Sequence, residues 1–271
     1  MAHWLDTFRF PNSMEHEIKW IGKYGAKGEK RAARHRATPE QIKKQNQANR
    51  EKYVRRLIKA NFFPNDLWIT LKYPKGKRKP LWEVKKDFTN FVSRLRYRYE
   101  KRGHMLKYIY RMEVGKRGGI HIHMIIPRIR GGDADLLAQE AWKKCGRIHF
   151  ESIYEYGGYE KLANYIVKQP DEEVEKQLSL FPEEERKELL SYNSSRNLIR
   201  PEPERKYYRR WTVKKLTEEG PKPRPGYYID KNSIRSGKNK YTGMSYLYYT
   251  ECRINEVKSR EEWKQIQEGG G

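Results

Sequence analysis

The chain has 271 residues, room for one large domain or one domain with appendages. Lys and Arg number 59 against 35 Asp and Glu, a formal net charge of +24; that excess is larger than solubility requires and points to a polyanionic partner, nucleic acid before any other. The lack of a long apolar run argues against a membrane span, the isolation of Cys145 and Cys252 argues against a disulfide framework or cysteine zinc site, and the N-terminus lacks the apolar core of a signal peptide, so a cytoplasmic location is expected.

Residues 1–37 include the basic run Lys23-Tyr24-Gly25-Ala26-Lys27-Gly28-Glu29-Lys30-Arg31 and show no evident hydrophobic period, which predicts a flexible basic arm that orders on a nucleic acid. Thr38-Pro39-Glu40-Gln41 predicts a helix start with Thr38 as N-cap, Pro39 at the first position and Gln41 closing a capping box. That helix runs to about Asn61, with Tyr53, Leu57 and Ile58 on its apolar side. A strand over 67–73 follows, stopped by Pro74, and then a helix over 81–102 in which Phe88, Phe91, Val92, Leu95 and Tyr99 recur at spacings of three and four. Strands over 106–114 and 120–126 flank the turn Gly115-Lys116-Arg117-Gly118-Gly119. Asp133 caps a further helix through Leu136, Leu137, Ala141 and Trp142. A strand over 148–153, a break at Gly157-Gly158 and a helix over 159–168 complete the pattern.

From residue 67 the order is strand, helix, strand, strand, helix, strand. This predicts an α+β fold of the ferredoxin-like βαββαβ type, an antiparallel sheet with helices on one face and the other face open. The expected domains are a nuclease-sized unit over 38–170, an acidic linker or exposed helix over 171–204, a basic tyrosine-rich β extension over 205–255 and a tail over 256–271 ending in a disordered Gly269-Gly270-Gly271.

The run Ile120-His121-Ile122-His123-Met124-Ile125-Ile126 alternates, so His121 and His123 share one face and the other face is wholly apolar. The preceding strand alternates too: Leu106, Tyr108, Tyr110, Met112 and Val114 on one face, Lys107, Ile109, Arg111 and Glu113 on the other. A turn centred on Arg117 pairs Val114 with Ile120 and Glu113 with His121, and opposed residues point the same way with Cβ atoms about 4.5–5.5 Å apart. Glu113, His121 and His123 thus form a candidate site for a divalent ion, Mg²⁺ or Mn²⁺ first, with Fe²⁺ and Zn²⁺ also compatible. On the neighbouring strand Thr70 and Lys72 are expected beside it.

In the last helix Tyr165 and Lys168, three apart, fall on a common side, with Lys161 close to it. A tyrosine and a lysine beside a metal suit phosphoryl chemistry. At neutral pH a phenol of pKa about 10 costs roughly 4 kcal/mol to ionise, a cost that an ammonium and a metal ion offset. Thr70, Lys72, Lys161 and Arg111 are the candidate DNA contacts. His3, His16, His35 and His104 are expected at the solvent, and the facing of His149 stays open.

Taken in order, residues 67–73, Glu113 with His121-Ile122-His123, and Tyr165-Ile166-Val167-Lys168 resemble the three motifs of the HUH endonucleases, specifically the single-tyrosine initiators of rolling-circle replication in phages and plasmids. The resemblance covers residues 60–170. It implies a nicking enzyme in which Tyr165 becomes linked to the 5′ phosphate of single-stranded or hairpin origin DNA, Glu113, His121 and His123 bind Mg²⁺ or Mn²⁺, and Lys168 stabilises charge. No Gly-x-x-x-x-Gly-Lys-Ser/Thr loop is present, so a host helicase and polymerase are the implied partners. Tyr165 with Gln169 also satisfies the Tyr-x-x-x-Gln pattern of single-tyrosine transposases, in which Gln169 would be the third metal ligand. Relaxases, a non-enzymatic nucleic-acid-binding module and a non-haem iron oxygenase are the rival classes.

Overall fold

The computed structural model describes residues 3–20, 31–129, 131, 133–154, 158–208 and 213–268. In chain order the elements are β1 (His3–Arg9), β2 (Ser13–Trp20), α1 (Pro39–Asn61), β3 (Leu67–Lys72), α2 (Leu81–Glu100), β4 (Ile109–Val114), β5 (Ile120–Ile126), α3 (Ala134–Trp142), β6 (Arg147–Ser152), α4 (Glu160–Val167), α5 (Glu172–Leu178), α6 (Glu183–Leu189), β7 (Tyr192–Ser194), β8 (Glu204–Tyr208), α7 (Val213–Glu219), β9 (Tyr227–Lys238), β10 (Ser245–Arg253) and α8 (Arg260–Glu268). They divide into two compact units, Asn49–Ile199 and a second unit built from both chain ends, Met1–Ala48 with Arg200–Gly271.

The unit over Asn49–Ile199 carries an antiparallel sheet in the order β6-β3-β5-β4-β7. The hairpin register matches the sequence expectation: Val114 pairs with Ile120, Glu113 with His121 and Arg111 with His123. One sheet face presents Leu67, Ile69, Leu71, Met112, Val114, Ile120, Ile122, Met124 and Ile126 to α2 and α3 and forms the larger core with Phe88, Phe91, Leu95, Leu137 and Trp142. Period-two alternation makes this possible, since every second residue of β3, β4 and β5 is apolar.

The opposite face is not the open platform that the pattern predicts. Trp68, Ile109 and Ile125 on that face are buried under Val54, Leu57, Ile58 and Phe62 at the end of α1 and under Ala163, Ile166 and Val167 of α4. Helices therefore cover one face fully and part of the other. The covered part is the end where the face is apolar; at the other end it carries Lys72, His121 and Glu113. The start of α1 follows expectation: the Thr38 amide donates to Gln41 Oε1 at 3.1 Å and the Gln41 amide to Thr38 Oγ1 at 3.3 Å, a reciprocal capping box. Asp133 stands at the N-cap position of α3 without a capping bond, because its carboxylate is drawn to Arg102 at 2.6 Å. Residues 171–189 form no free linker: Val174, Leu178 and Leu189 bury the apolar stripes of α5 and α6 in the larger core.

The second unit has its own antiparallel sheet, β8-β1-β2-β10-β9. The flexible-arm reading of residues 1–37 fails for 3–20, which are two paired strands; the basic run over 23–30 lies outside the described residues. The expected strands over 205–255 are present, and the expected tail includes α8, with 269–271 outside the described residues. His3 and His16 are buried rather than at the solvent. His16 Nδ1 lies 3.2 Å from Thr7 Oγ1, Nε2 lies 3.1 Å from Glu251 Oε1, and Tyr249 stacks on the ring at 4.6 Å. Burial first, then the charges of Arg224 and Arg9, pull its pKa down to about 4 against the opposing charge of Glu15, so the imidazole is neutral. No helix among the described residues is long and apolar enough to cross a membrane.

Candidate active site

The side chains named from the sequence converge on the partly covered sheet face. β5 supplies His121 and His123, β4 supplies Glu113, β3 supplies Thr70, and α4 brings Tyr165 over the sheet because its opposite side, Ala163, Ile166 and Val167, is buried on Trp68, Ile109 and Ile125. The Tyr165 hydroxyl donates to Glu113 Oε2 at 3.0 Å and lies 3.2 Å from His123 Nε2. Lys168, just past the end of α4, places its Nζ 2.7 Å from Glu113 Oε1 and 4.4 Å from the centre of the Tyr165 ring. Thr70 Oγ1 is 3.1 Å from His123 Nδ1. When Nδ1 donates that proton, Nε2 keeps a lone pair facing the tyrosine.

Three further residues shape the site. Trp68 stacks on His123 (centroids 5.5 Å apart, planes at 13°) and meets Tyr165 edge-on at 5.7 Å, holding both rings. Its position two residues before Thr70 on the same strand face was the available signal. Arg111, expected to contact DNA, is 2% exposed; its Nη1 donates to the carbonyls of Ile166 at 3.1 Å and Lys168 at 2.8 Å and so ties the end of α4 to β4. It is a structural anchor, out of reach of a ligand. Gly115 leaves room for His121: a Cβ there would lie 2.8 Å from His121 Nε2.

The electrostatics run against a reactive tyrosine. Burial opposes ionisation of Glu113, but hydrogen bonds from His123 and Lys168, the Lys168 charge and the Tyr165 hydroxyl outweigh it and hold the carboxyl at about 2. Burial, then the charge of Glu113 and the hydrogen bond to it, pushes the Tyr165 phenol above its ordinary value. His121 is lowered by burial, then by His123 and Lys72.

Among the described residues no three His, Cys, Asp or Glu side chains stand in a metal-site arrangement. Glu113 leans diagonally to His123, Tyr165 and Lys168 instead of lying with His121, its directly opposed partner. The donor set nevertheless fits a divalent ion: two imidazoles, an ionised carboxylate, and a buried His121 Nδ1 that has no hydrogen-bond partner. Gln169 is exposed beyond the last residue of α4, and Lys161 is exposed on its first turn. His149 pairs with Glu151 at 3.0 Å on β6, in register with Thr70.

Residues 66–170 match the ORF2 family of replication-associated proteins. The resemblance drawn from the three motifs is borne out at that level, and every site residue named above lies inside the matched segment. No curated protein and no solved structure matches the chain.

Proposed function

We propose that this replication-associated protein is a metal-dependent HUH endonuclease that nicks single-stranded origin DNA through Tyr165 and so starts rolling-circle replication. The observation that carries the reading is the placement of the Tyr165 hydroxyl within 3.0 Å of Glu113 and 3.2 Å of His123, in the segment that matches the replication-associated family. The order β3-α2-β4-β5-α3-β6, with β3 and β5 adjacent, supports a ferredoxin-like scaffold for it.

In this reading Tyr165 Oη attacks the scissile phosphorus, a bond from that oxygen to phosphorus forms, the bond to the 3′ oxygen breaks, and the 3′ oxygen leaves as a protonated hydroxyl. The phenol proton passes to Glu113 Oε2 or His123 Nε2, the acceptors already in contact. Glu113, His121 and His123 would hold Mg²⁺ or Mn²⁺, which when bound supplies a Lewis acid to polarise the phosphate. Lys168 keeps a positive charge over the tyrosine ring, where negative charge develops. The phosphotyrosine bond keeps the energy of the diester, so a 3′ hydroxyl can reverse the step and reseal the strand. The contact of Glu113 with Tyr165 and Lys168 favours Glu113 over the exposed Gln169 as third ligand, and with it replication over transposition.

Incubation with labelled single-stranded origin DNA and Mn²⁺ should give an adduct that survives denaturing electrophoresis. Tyr165→Phe should form none, and His121→Ala with His123→Ala should abolish it while keeping most DNA binding, because phosphate contacts carry affinity. A Tyr165→Phe adduct equal to that of the parent defeats the reading.

A further inference from the structure

At the uncovered end of the sheet, β3 and β6 finish side by side with Lys72 opposed to Arg147. Two like charges directly opposed across strands destabilise a sheet. Neither cation has a carboxylate partner among the described residues. The one acidic side chain along β6 on this face, Glu151, is two positions beyond His149 and is taken up by it at 3.0 Å. The strand ends cannot splay to relieve the repulsion. The Lys72 carbonyl accepts from Trp142 Nε1 at 3.4 Å, and Gly146 packs so closely on that carbonyl that a Cβ would strike it.

Between these residues lies a cavity of about 230 Å³ lined by Lys72, Arg147, Ile148 and His149. It belongs to the same face as the tyrosine: Lys72 follows Thr70 by two residues, about 7 Å along the strand, and Thr70 touches His123. An anion seated there would turn the repulsion into a bridge. Because both cations are partly or fully exposed at the rim, the anion must be one that arrives from solvent.

We propose that Lys72 and Arg147, with His149 lining the same cavity, form a subsite for a backbone phosphate of single-stranded DNA, gripping the strand beside the phosphate that Tyr165 attacks. This rests on the reading of the site as a nicking centre. The subsite holds the strand by a non-reacting phosphodiester, so that binding energy gathered away from the scissile bond positions it. Arg147 contributes a fork of donors and Lys72 a point charge, a pairing that suits a phosphate bearing two free oxygens.

The test is binding, kept apart from chemistry. Anisotropy of a fluorescein-labelled, mixed-sequence single-stranded oligodeoxynucleotide is measured over a salt series for the parent, for Lys72→Gln with Arg147→Gln, and for Lys86→Gln with Arg96→Gln. The last pair removes equal charge from the exposed side of α2, on the far side of the sheet. The Lys72/Arg147 glutamine variant should lose about tenfold in affinity, and its plot of log affinity against log salt should flatten by about 0.7 per lost phosphate contact. Its melting temperature should not fall, since opposed like charges have been removed. Lys72→Arg with Arg147→Lys should restore most of the affinity and of the slope. The proposal is overturned if the glutamine variant binds as the α2 control does, or if the swapped pair fails to rescue. Adduct formation is scored separately. A flattened salt slope without any adduct in the parent sinks the nicking reading and keeps the subsite; adduct formation with an unchanged slope does the reverse.

Discussion

Tyr165 rests where its oxygen is hardest to ionise. An ordinary phenol already needs roughly 4 kcal/mol to reach the phenolate at neutral pH, and burial together with the ionised Glu113 raises that cost. Lys168 cannot cancel it alone, because its ammonium is engaged with Glu113 Oε1 at 2.7 Å. The residues are therefore set for a second positive charge beside Glu113, and the unpartnered His121 Nδ1 is the free donor nearest to that role. Gly115 gives a way to test this. Its backbone is in an ordinary region, so Ala is tolerated by the chain, but the added methyl would press on His121 Nε2 at 2.8 Å and Cδ2 at 3.3 Å. Gly115→Ala is expected to weaken Mn²⁺ binding by about 10- to 100-fold, the range for disturbing a ligand's surroundings, with little change in melting temperature. Titration calorimetry with Mn²⁺ reads it; unaltered affinity would show that His121 does not hold the ion.

At the scale of elements, the site depends on α4 being held down at both ends of its short length. Eight residues make a marginal helix in isolation. Its apolar side packs on Trp68, Ile109 and Ile125, and Arg111 takes the carbonyls of Ile166 and Lys168. Arg111→Met keeps the length and apolar stem of the side chain but strands two carbonyls, at about 1–3 kcal/mol for each buried unsatisfied group. A loss of roughly 2–4 kcal/mol in urea unfolding is expected; a variant as stable as the parent would remove Arg111 as the anchor. The hairpin register and the shared face of Glu113, His121 and His123 were legible because alternation with a wholly apolar opposite face leaves one register that buries it. The role of Arg111 was not. Alternation tells which residues share a face, yet says nothing of whether a distant helix covers part of that face, and α1 and α4 cover the part holding Arg111. The lean of Glu113 toward His123 is likewise a rotamer outcome, set by Tyr165 and Lys168 from another element.

At the scale of the whole molecule, the least legible feature is that the chain ends fold together. β2 does alternate, Met14, His16 and Ile18 against Glu15, Glu17 and Lys19, but with charges on both sets the pattern does not declare a core face. Its partners β1 and β10 include one near the other end of the chain, and β8, which closes β1, also comes from beyond Arg200. Such pairing leaves no local trace in sequence. It has a consequence for truncation. Without residues 200–271, β1 and β2 lose β8, β10 and β9 and remain a two-stranded hairpin, which is marginal in water. The unit over Asn49–Ile199 loses none of its strands, and α1 buries nothing before Val54. A chain ending at Ile199 should therefore be trimmed by dilute protease to a resistant fragment beginning near residue 49, and Asn49–Ile199 expressed alone should unfold in one cooperative transition. Mass spectrometry of the digest and a circular-dichroism melt decide it: protected residues 3–20 in the truncated chain, or a non-cooperative melt of the fragment, would mean that the two units do not fold separately.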